Sequence, residues 1–367
     1  MVKGIVMSEM EGKQMSEEVV TSGWDAIEEQ MVHIYGAQEP KHYGTLISYA
    51  LGGNDPLDGI SVYKAEQPFP HWHFVTYGFS ELYEKESENT DYSGFGFELT
   101  FRLIREEHEE EPPTWALNLL QNMARYVFSS GNVLVPGDYL DANGPICLES
   151  NTKLTALVFM EDAELPAIKT PNGRVEFVQM IGMTEDELEA IKTWNTLKML
   201  EACQEMLPGY ITNLSRDSML QVPAIAEAVQ GGIERDGSNT GFLFVDQLLW
   251  EPATNRLLSN TPAVLTLGAK QAATVAKLIR GRLLKGKELT LSSEHLRVIL
   301  APGEETRYEC GENEVRLTLH TADATELSQM MQPQEGTLKL SAFNGLTIQV
   351  VKTYIKDQDG VIVSTIG

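Results

Sequence analysis

Two histidines one residue apart, His71 and His73, are the side chains whose type and spacing come nearest to a chemical site. On a β-strand they share one face, with Trp72 and Phe74 on the other. Paired imidazoles can ligate a metal ion, with His42, Asp55 or Asp58 completing the shell, and a metal-dependent hydrolase would use such an arrangement. The spacing alone is a weak signal. A His-x-His pair in an aromatic, proline-bounded strand is more often satisfied by hydrogen bonds, and no cysteine or clustered carboxylate completes a recognisable motif. We therefore assign no metal site and no cofactor. His108, set among Glu106, Glu107, Glu109, Glu110 and Glu111, reads as a solvated charge run. Gly52-Gly53 and Gly231-Gly232 lack the strand-to-helix context and the lysine of a phosphate loop. No motif supplies a nucleophile with a base and an orienting acid. The negative result favours a binding protein over an enzyme.

The elements that position these residues are legible from turns and periodicity. Asn54-Asp55-Pro56 and Asp58-Gly59 are turn formers, each followed by a β-rich run, Ile60 to Lys64 and then His71 to Tyr77. Trp24, Ile27, Met31 and Ile34 recur at helical steps between Ser22 and Gly36. Thr45 to Leu51 reads as a strand. Phe95, Phe97, Leu99, Phe101 and Leu103 alternate strictly, predicting a half-buried strand. Thr114 caps a helix carrying Trp115, Leu119, Leu120, Met123 and Val127 on its apolar side. Ser129 to Asp141 is a loop in which the Pro136-Gly137-Asp138 turn holds Asp138 at the surface. Further strands are expected at Leu154 to Met160 and Val175 to Ile181. Thr184 and Glu187 form a capping box, Asn195 breaks the helical region that follows, and a helix from Pro223 through Val229 ends at Gly231-Gly232.

Phe242 to Trp250 reads as the last strand of a first domain, with Glu251 to Asn255 as a linker. Beyond it, helices at Ala269 to Leu284 and Thr325 to Met331 lie among strands at Glu288 to Leu291, Leu296 to Leu300, Arg307 to Cys310, Val315 to His320, Thr337 to Ser341 and Leu346 to Tyr354. The expected fold class is α+β, with two mixed α/β domains: a larger one over 18–255 and a smaller, strand-rich one over 256–367.

Length agrees with two cores, since 367 residues exceed what one usually organises. Hydrophobic residues at 42% and charged residues at 22% are a globular composition. The net charge of −25 argues against direct contact with nucleic acid or anionic membrane, both of which require Lys and Arg against phosphate. Three scattered cysteines, Cys147, Cys203 and Cys310, form neither a disulfide framework nor a zinc site. With no signal-peptide core and no run approaching the ~20 apolar residues of a membrane helix, a soluble cytoplasmic protein is expected. The first ~17 residues read as a frayed tail.

Several blocks, in order and spacing, resemble the Suppressor of fused family: Gly23-Trp24-Asp25-Ala26-Ile27, Gln38 to Gly44, Asp55-Pro56-Leu57-Asp58-Gly59, Pro70-His71-Trp72-His73 and Tyr77 to Tyr83. The likeness continues through Gly96 to Leu103, Pro112 to Trp115, Ala124 to Phe128 and Gly232 to Asn239, covering roughly the first two thirds of the chain. It implies a non-enzymatic, inhibitory binding module that takes a peptide or protein partner in a cleft between its two domains. Animal members bind and restrain zinc-finger transcription factors, closing two domains over an extended peptide. This chain looks like a bacterial-type relative without their long C-terminal insertion, so that partner is not carried over, and a family-level role as an immunity protein neutralising a toxin domain is preferred. Tyr126 in Ala-Arg-Tyr-Val-Phe and Asp138 in Pro-Gly-Asp match positions where animal members engage the partner peptide. A tyrosine offers apolar area with a hydroxyl, and a turn-held carboxylate accepts bonds from a peptide's backbone, His or Lys. The alternative is that Tyr126 packs in the core and Asp138 bonds only its own turn.

Overall fold

The computed structural model describes residues 20–45, 49, 52–148, 150–256, 259–356 and 360–367. The tail over the first ~17 residues and most of the strand expected at Thr45 to Leu51 fall outside them. The described residues of the first domain build one mixed sheet from β1 (Lys41–Gly44), β2 (Gly59–Ala65), β3 (His71–Tyr77), β4 (Tyr92–Ile104), β5 (Tyr139–Asp141), β6 (Leu154–Glu161), β7 (Ile168–Thr170) and β8 (Gly173–Thr184). Its order is β1-β2-β3-β4-β8-β6-β5, with β7 beside β8. The β1 to β4 pairs are antiparallel, β4 and β8 run parallel, and β6 lies antiparallel between β8 and β5. Thus β5, three residues within the loop expected at Ser129 to Asp141, is an edge strand.

Helices cover both faces. Helix α2 (Thr114–Ser130) turns Ala116, Leu120, Met123, Ala124 and Val127 inward, against Trp72 and Phe74 of β3 and the alternating apolar residues of β4. It starts after Pro113 without a side-chain cap, and Gly131 at φ 72 ends it with a bond to the Val127 carbonyl. The opposite face is shared. At one end α1 (Ser22–Tyr35) buries Ile27 and Met31 on Tyr63, Val75 and Tyr77. At the other, α3 (Glu185–Thr193), α4 (Thr196–Cys203) and α5 (Pro223–Asp236) cover Val158, Ile181 and Met183. The predicted capping box opens α3, and Asn195 separates α3 from α4 by accepting the Lys198 N–H. Gly231-Gly232 do not end α5. Its run continues to Asp236 and stops at Gly237, φ 67, because Gly232 serves another purpose: a Cβ there would lie 2.2 Å from the Trp194 indole.

Phe242 to Trp250 is not a strand of the first domain. It splits at Asp246-Gln247 into β9 (Phe242–Phe244), which pairs with Leu289–Ser292, and β10 (Leu248–Glu251), which pairs with Ala263–Gly268. Both strands belong to sheets of the second domain, and Leu243, Val245 and Leu248 lie in its core. Nor is the stretch at Glu251 to Asn255 an extended linker, for Thr254–Arg256 pairs back on Ser259–Thr261. The second domain combines a sheet in the order 307–310, 314–320, 297–303, 289–292, β9 with one in the order β10, 263–268, 346–351, 336–339. Helices α6 (Ala269–Arg282) and α7 (Thr321–Met330) contribute to the same core. The strand expected over Leu346 to Tyr354 breaks at Lys352, and its second part pairs with Ile362–Ile366. Among the described residues no apolar cluster spans the two domains, and no helix is long and apolar enough to cross a membrane.

Candidate functional site

The alternation in β4 places Phe97, Leu99, Phe101 and Leu103 toward α2 as expected. Its other face is not solvated. Glu98, Thr100 and Arg102 are all buried there, because the loop after β6 and the segment around Tyr210 close over the seam between α1 and α3. Burying charge without partners is prohibitive, and partners are supplied in full. Asp162 accepts from Arg102 Nη1 and Nη2 at 3.0 and 2.9 Å, from Thr100 Oγ1 at 2.6 Å and from the Glu164 and Leu165 N–H groups at 2.9 Å. Burial pushes its carboxyl up, but His73, Arg102 and Thr100 outweigh that and hold it well below the usual carboxylate range.

His73 joins this network. Its Nδ1 is 2.7 Å from the Tyr35 hydroxyl and its Nε2 is 3.6 Å from Asp162 Oδ2. Burial and Arg102 lower its pKa to about 4, so it is neutral. His71 donates from Nδ1 to the Phe69 carbonyl at 2.7 Å, and burial lowers its pKa as well. The other residues considered for a metal shell lie elsewhere. His42 is paired to Ser61 at 3.0 Å and stands opposite Ser61, itself opposite Val75, which puts it ~12 Å from His73 by strand spacing. Asp55 pairs with Arg125 at 2.6 Å, and Asp58 is a half-buried carboxyl raised by burial. No group of three or more His, Cys, Asp or Glu among the described residues could share a metal ion. The hydrolase alternative has nothing to rest on here.

Tyr126 and Asp138, by contrast, are brought together. Both line a surface cleft of about 400 Å³ with Asn132, Val133, Leu134 and Leu140. Tyr126 is not in the core: it is 38% exposed, and its hydroxyl accepts from Asn132 Nδ2 at 3.0 Å. Asp138 does bond its own turn, Oδ2 accepting from the Val135 N–H at 3.0 Å. The turn needs Gly137, whose φ of 102 is open only to glycine without strain. The expected position between the domains is not what the two residues line: the cleft is walled by first-domain residues alone, and its Tyr139 hydroxyl lies 3.4 Å from Thr240 Oγ1 on the segment that crosses to the second domain. Two residues on begins β9, also an edge strand, with Phe242 and Phe244 at 53% and 55% exposure and Leu243 turned inward.

A family model for Suppressor of fused protein matches residues 53–217. The mouse and human Suppressor of fused homologs are each 37% identical over 235 residues, covering 59% of this chain and 48% of either relative. The chain belongs to the Suppressor of fused family. It spans about half the length of the curated relatives it matches. Among solved structures, Drosophila Suppressor of Fused matches with a TM-score of 0.76 at 24% identity, over 90% of this chain and 97% of that one, and so shares the fold. The Sufu-Fu complex contains a chain that matches at 34% identity and TM-score 0.54, over 57% of this chain and 98% of its own.

The Suppressor of fused blocks acquire physical reasons in this fold. Gly23 lets α1 start against the 81–82 backbone, where a Cβ would meet the Glu81 carbonyl at 2.1 Å. In the Tyr77 to Tyr83 block the Gly78, Phe79 and Ser80 N–H groups point at Glu98, which also accepts from Thr76 and Ser80 hydroxyls. Burial raises the Glu98 pKa to about 7 against those bonds. In the Gly232 to Asn239 block, Ser238 Oγ donates to the Lys192 carbonyl at 2.6 Å and the Asn239 N–H to the Trp194 carbonyl at 2.8 Å, tying the crossing segment to α3. Sequence reasoning missed Tyr139, Phe242 and Phe244. The available signal was local: a tyrosine directly after the turn-held Asp138, and a Phe-Leu-Phe run whose alternation is that of an edge.

Proposed function

We propose that this chain is a non-enzymatic protein-binding module that captures an extended segment of a protein partner at the Tyr126 and Asp138 cleft. The carrying observation is that Tyr126 and Asp138 line one surface cleft beside the edge strand β5, whose Tyr139 hydroxyl reaches Thr240, two residues before the edge strand β9 of the second domain. An unpaired edge offers backbone donors and acceptors to an added strand, and alternate side chains then read the walls. Here the cleft wall carries Tyr126 and Val133, and β9 outside it presents the exposed Phe242 and Phe244. Asp138 keeps Oδ1 for a donor on the partner, Oδ2 being held by its own turn. A family relative solved as a complex with a second protein, Fu, supports protein binding as the activity. Within that reading, the narrower role is an immunity protein of the bacterial cytoplasm that neutralises a toxin domain; the net charge of −25 suits a basic toxin surface.

Pull-down from native cells with mass spectrometry identifies the partner, and Asp138→Arg tests the site. Capture should be lost while the thermal midpoint stays within a few degrees. Capture retained in that variant, or lost only because the chain unfolds, removes the cleft from consideration.

A further inference from the structure

Beyond the far end of α4 from the cleft, an apolar surface stands inside a rim of carboxylates. Leu197, in the first turn of α4, lies against the Gly137 turn of the cleft, whereas Met206 follows the helix's last turn, ~12 Å away along its axis. Phe69 and Met206 are 49% and 54% exposed, on segments that meet where Pro68 packs on Gly209.

Neither segment is loose. Phe69 sits between Pro68 and Pro70; its carbonyl is held by His71, and the Pro70 carbonyl accepts from the Arg105 N–H at 3.0 Å. Facing it, Gln179 Nε2 donates to the Gly209 and Tyr210 carbonyls at 3.0 and 3.1 Å and fixes Tyr210 at φ 53. A bulky side chain adopts that left-handed conformation only when its surroundings impose it, and such strain collects at binding sites. An aromatic ring held rigidly in water is also the usual form of an interface anchor, since its ordering cost is met before binding. Met206, on the segment that reaches Pro68 at Gly209, can adapt its shape to an apolar guest. Two residues on from Phe69, the buried His71 Nε2 has no hydrogen-bond partner among the described residues.

The rim is acidic by construction. Arg102 and Arg105 are turned inward, their side chains 1% and 5% exposed, while their partners Glu164 and Glu66 are 50% and 64% exposed and present carboxylate to solvent. Glu201, whose charge together with burial raises the Tyr210 pKa, and Glu205 are exposed on the other side. We propose that this face docks a short basic amphipathic segment of a protein partner, independently of the cleft. An apolar side chain seats between Phe69 and Met206, and Lys or Arg side chains lie over Glu66, Glu164, Glu201 and Glu205. A nucleic acid or an anionic membrane would bring phosphate to carboxylate and is repelled.

The probe is a labelled synthetic amphipathic Leu/Lys helix titrated against the full chain, with its Leu/Glu counterpart as control. The Leu/Lys helix should bind and the Leu/Glu helix should not. Changing Phe69→Ser and Met206→Ser together should weaken binding about tenfold or more, as should Glu201→Lys with Glu205→Lys, all at unchanged thermal midpoint. Asp138→Arg should leave this binding intact, which separates the face from the cleft. A photoreactive benzoyl-phenylalanine in place of Phe69 should cross-link the peptide, and one in place of Val363 should not, a readout that survives if a serine variant fails to fold. Binding undiminished in both double variants, or cross-links as strong from position 363, would show diffuse charge attraction and overturn the proposal.

Discussion

The centre of the first sheet and its β5 edge invite opposite readings from sequence and play opposite parts in the structure. The centre holds the residues that look chemical, His71, His73, Arg102 and Asp162, and all are buried, with the Asp162 oxygens fully engaged by donors and only the two histidine Nε2 atoms of this set without a hydrogen bond among the described residues. It leads outward through Tyr35 to α1, through Glu164 to solvent and through Gln179 to the Gly209 and Tyr210 carbonyls. The edge holds a three-residue strand and a turn that look unremarkable as sequence, and there the backbone and Asp138 keep capacity to spare. A buried ion pair whose charges are met within the fold specifies how layers pack, whereas an exposed turn and strand edge with an oxygen and backbone groups to spare can take a ligand. The contrast predicts that substitutions at the centre act on stability and substitutions at the edge act on binding.

The largest effect should come from the centre. Arg102→Ala removes the cation from Asp162, Glu164 and Gln179 at once and leaves the Asp162 charge buried. Breaking one side of a buried pair typically costs about 3–5 kcal/mol, which a denaturant titration resolves. A loss under about 1 kcal/mol would mean that water reaches Asp162, and the centre would then resemble the edge.

Two groups of the centre should oppose each other in pH. His73 is held neutral, its folded pKa about 4 against an ordinary 6.5, so its contribution is complete above 6.5 and is lost as pH falls toward 4. Glu98 has its pKa raised to about 7 from 4.5, so its contribution is present below 4.5 and is lost as pH rises through 7. Each is worth about 3 kcal/mol over its window at 1.36 kcal/mol per pKa unit. His73→Gln should therefore leave stability falling from pH 5 to 8, and Glu98→Gln should leave it rising from pH 4 to 6.5. Identical pH profiles for the two variants would contradict the assignment.

The division between domains gives a smaller contrast. We propose that the boundary lies at Gly237 to Thr240 and not at 255, because β9 and β10 complete the second domain's sheets. A fragment of residues 18–240 should fold, whereas one of residues 18–255 carries Leu243, Val245 and Leu248 without their core and should aggregate. Equal solubility of the two would restore the later boundary.

How far the sequence could be read follows from the same contrast. Periodicity found β4 and the face it turns to α2, since alternation of Phe and Leu has no other economical use. It could not find the fate of Glu98, Thr100 and Arg102, because polar residues at alternate positions read as solvated unless their partners are known, and Asp162 and Gln179 are 60 and 77 residues from Arg102. Motif order placed Tyr126 and Asp138 as candidates. It was silent on β5 and β9, whose three residues each are too few for a period, and whose meeting depends on a tertiary contact. The Phe242 to Trp250 run was misassigned for a related reason: apolar character shows that a strand is buried, not which core buries it.

The smallest effect on stability should belong to Tyr139→Phe, and it bears most directly on the edge. The variant keeps the ring and loses one hydroxyl whose bond to Thr240 is long at 3.4 Å, so the stability change should stay within about 1 kcal/mol. That bond nevertheless joins the wall of the cleft to Thr240, two residues before β9, and among the described residues no apolar cluster joins the domains in its place. Polar interfaces between domains of one chain leave relative motion as the default. Removing this tie should therefore widen the spread of distances between spin labels at position 133 in the cleft wall and position 244 in β9, while the unfolding midpoint barely moves. An extended partner that needs both edges at a fixed separation would then bind more weakly through faster dissociation. An unchanged distance distribution would show that other ties, such as Glu189 to Thr274 at 2.7 Å and Lys285 to the Glu234 carbonyl at 2.9 Å, set the separation, and that Tyr139 is only part of the wall.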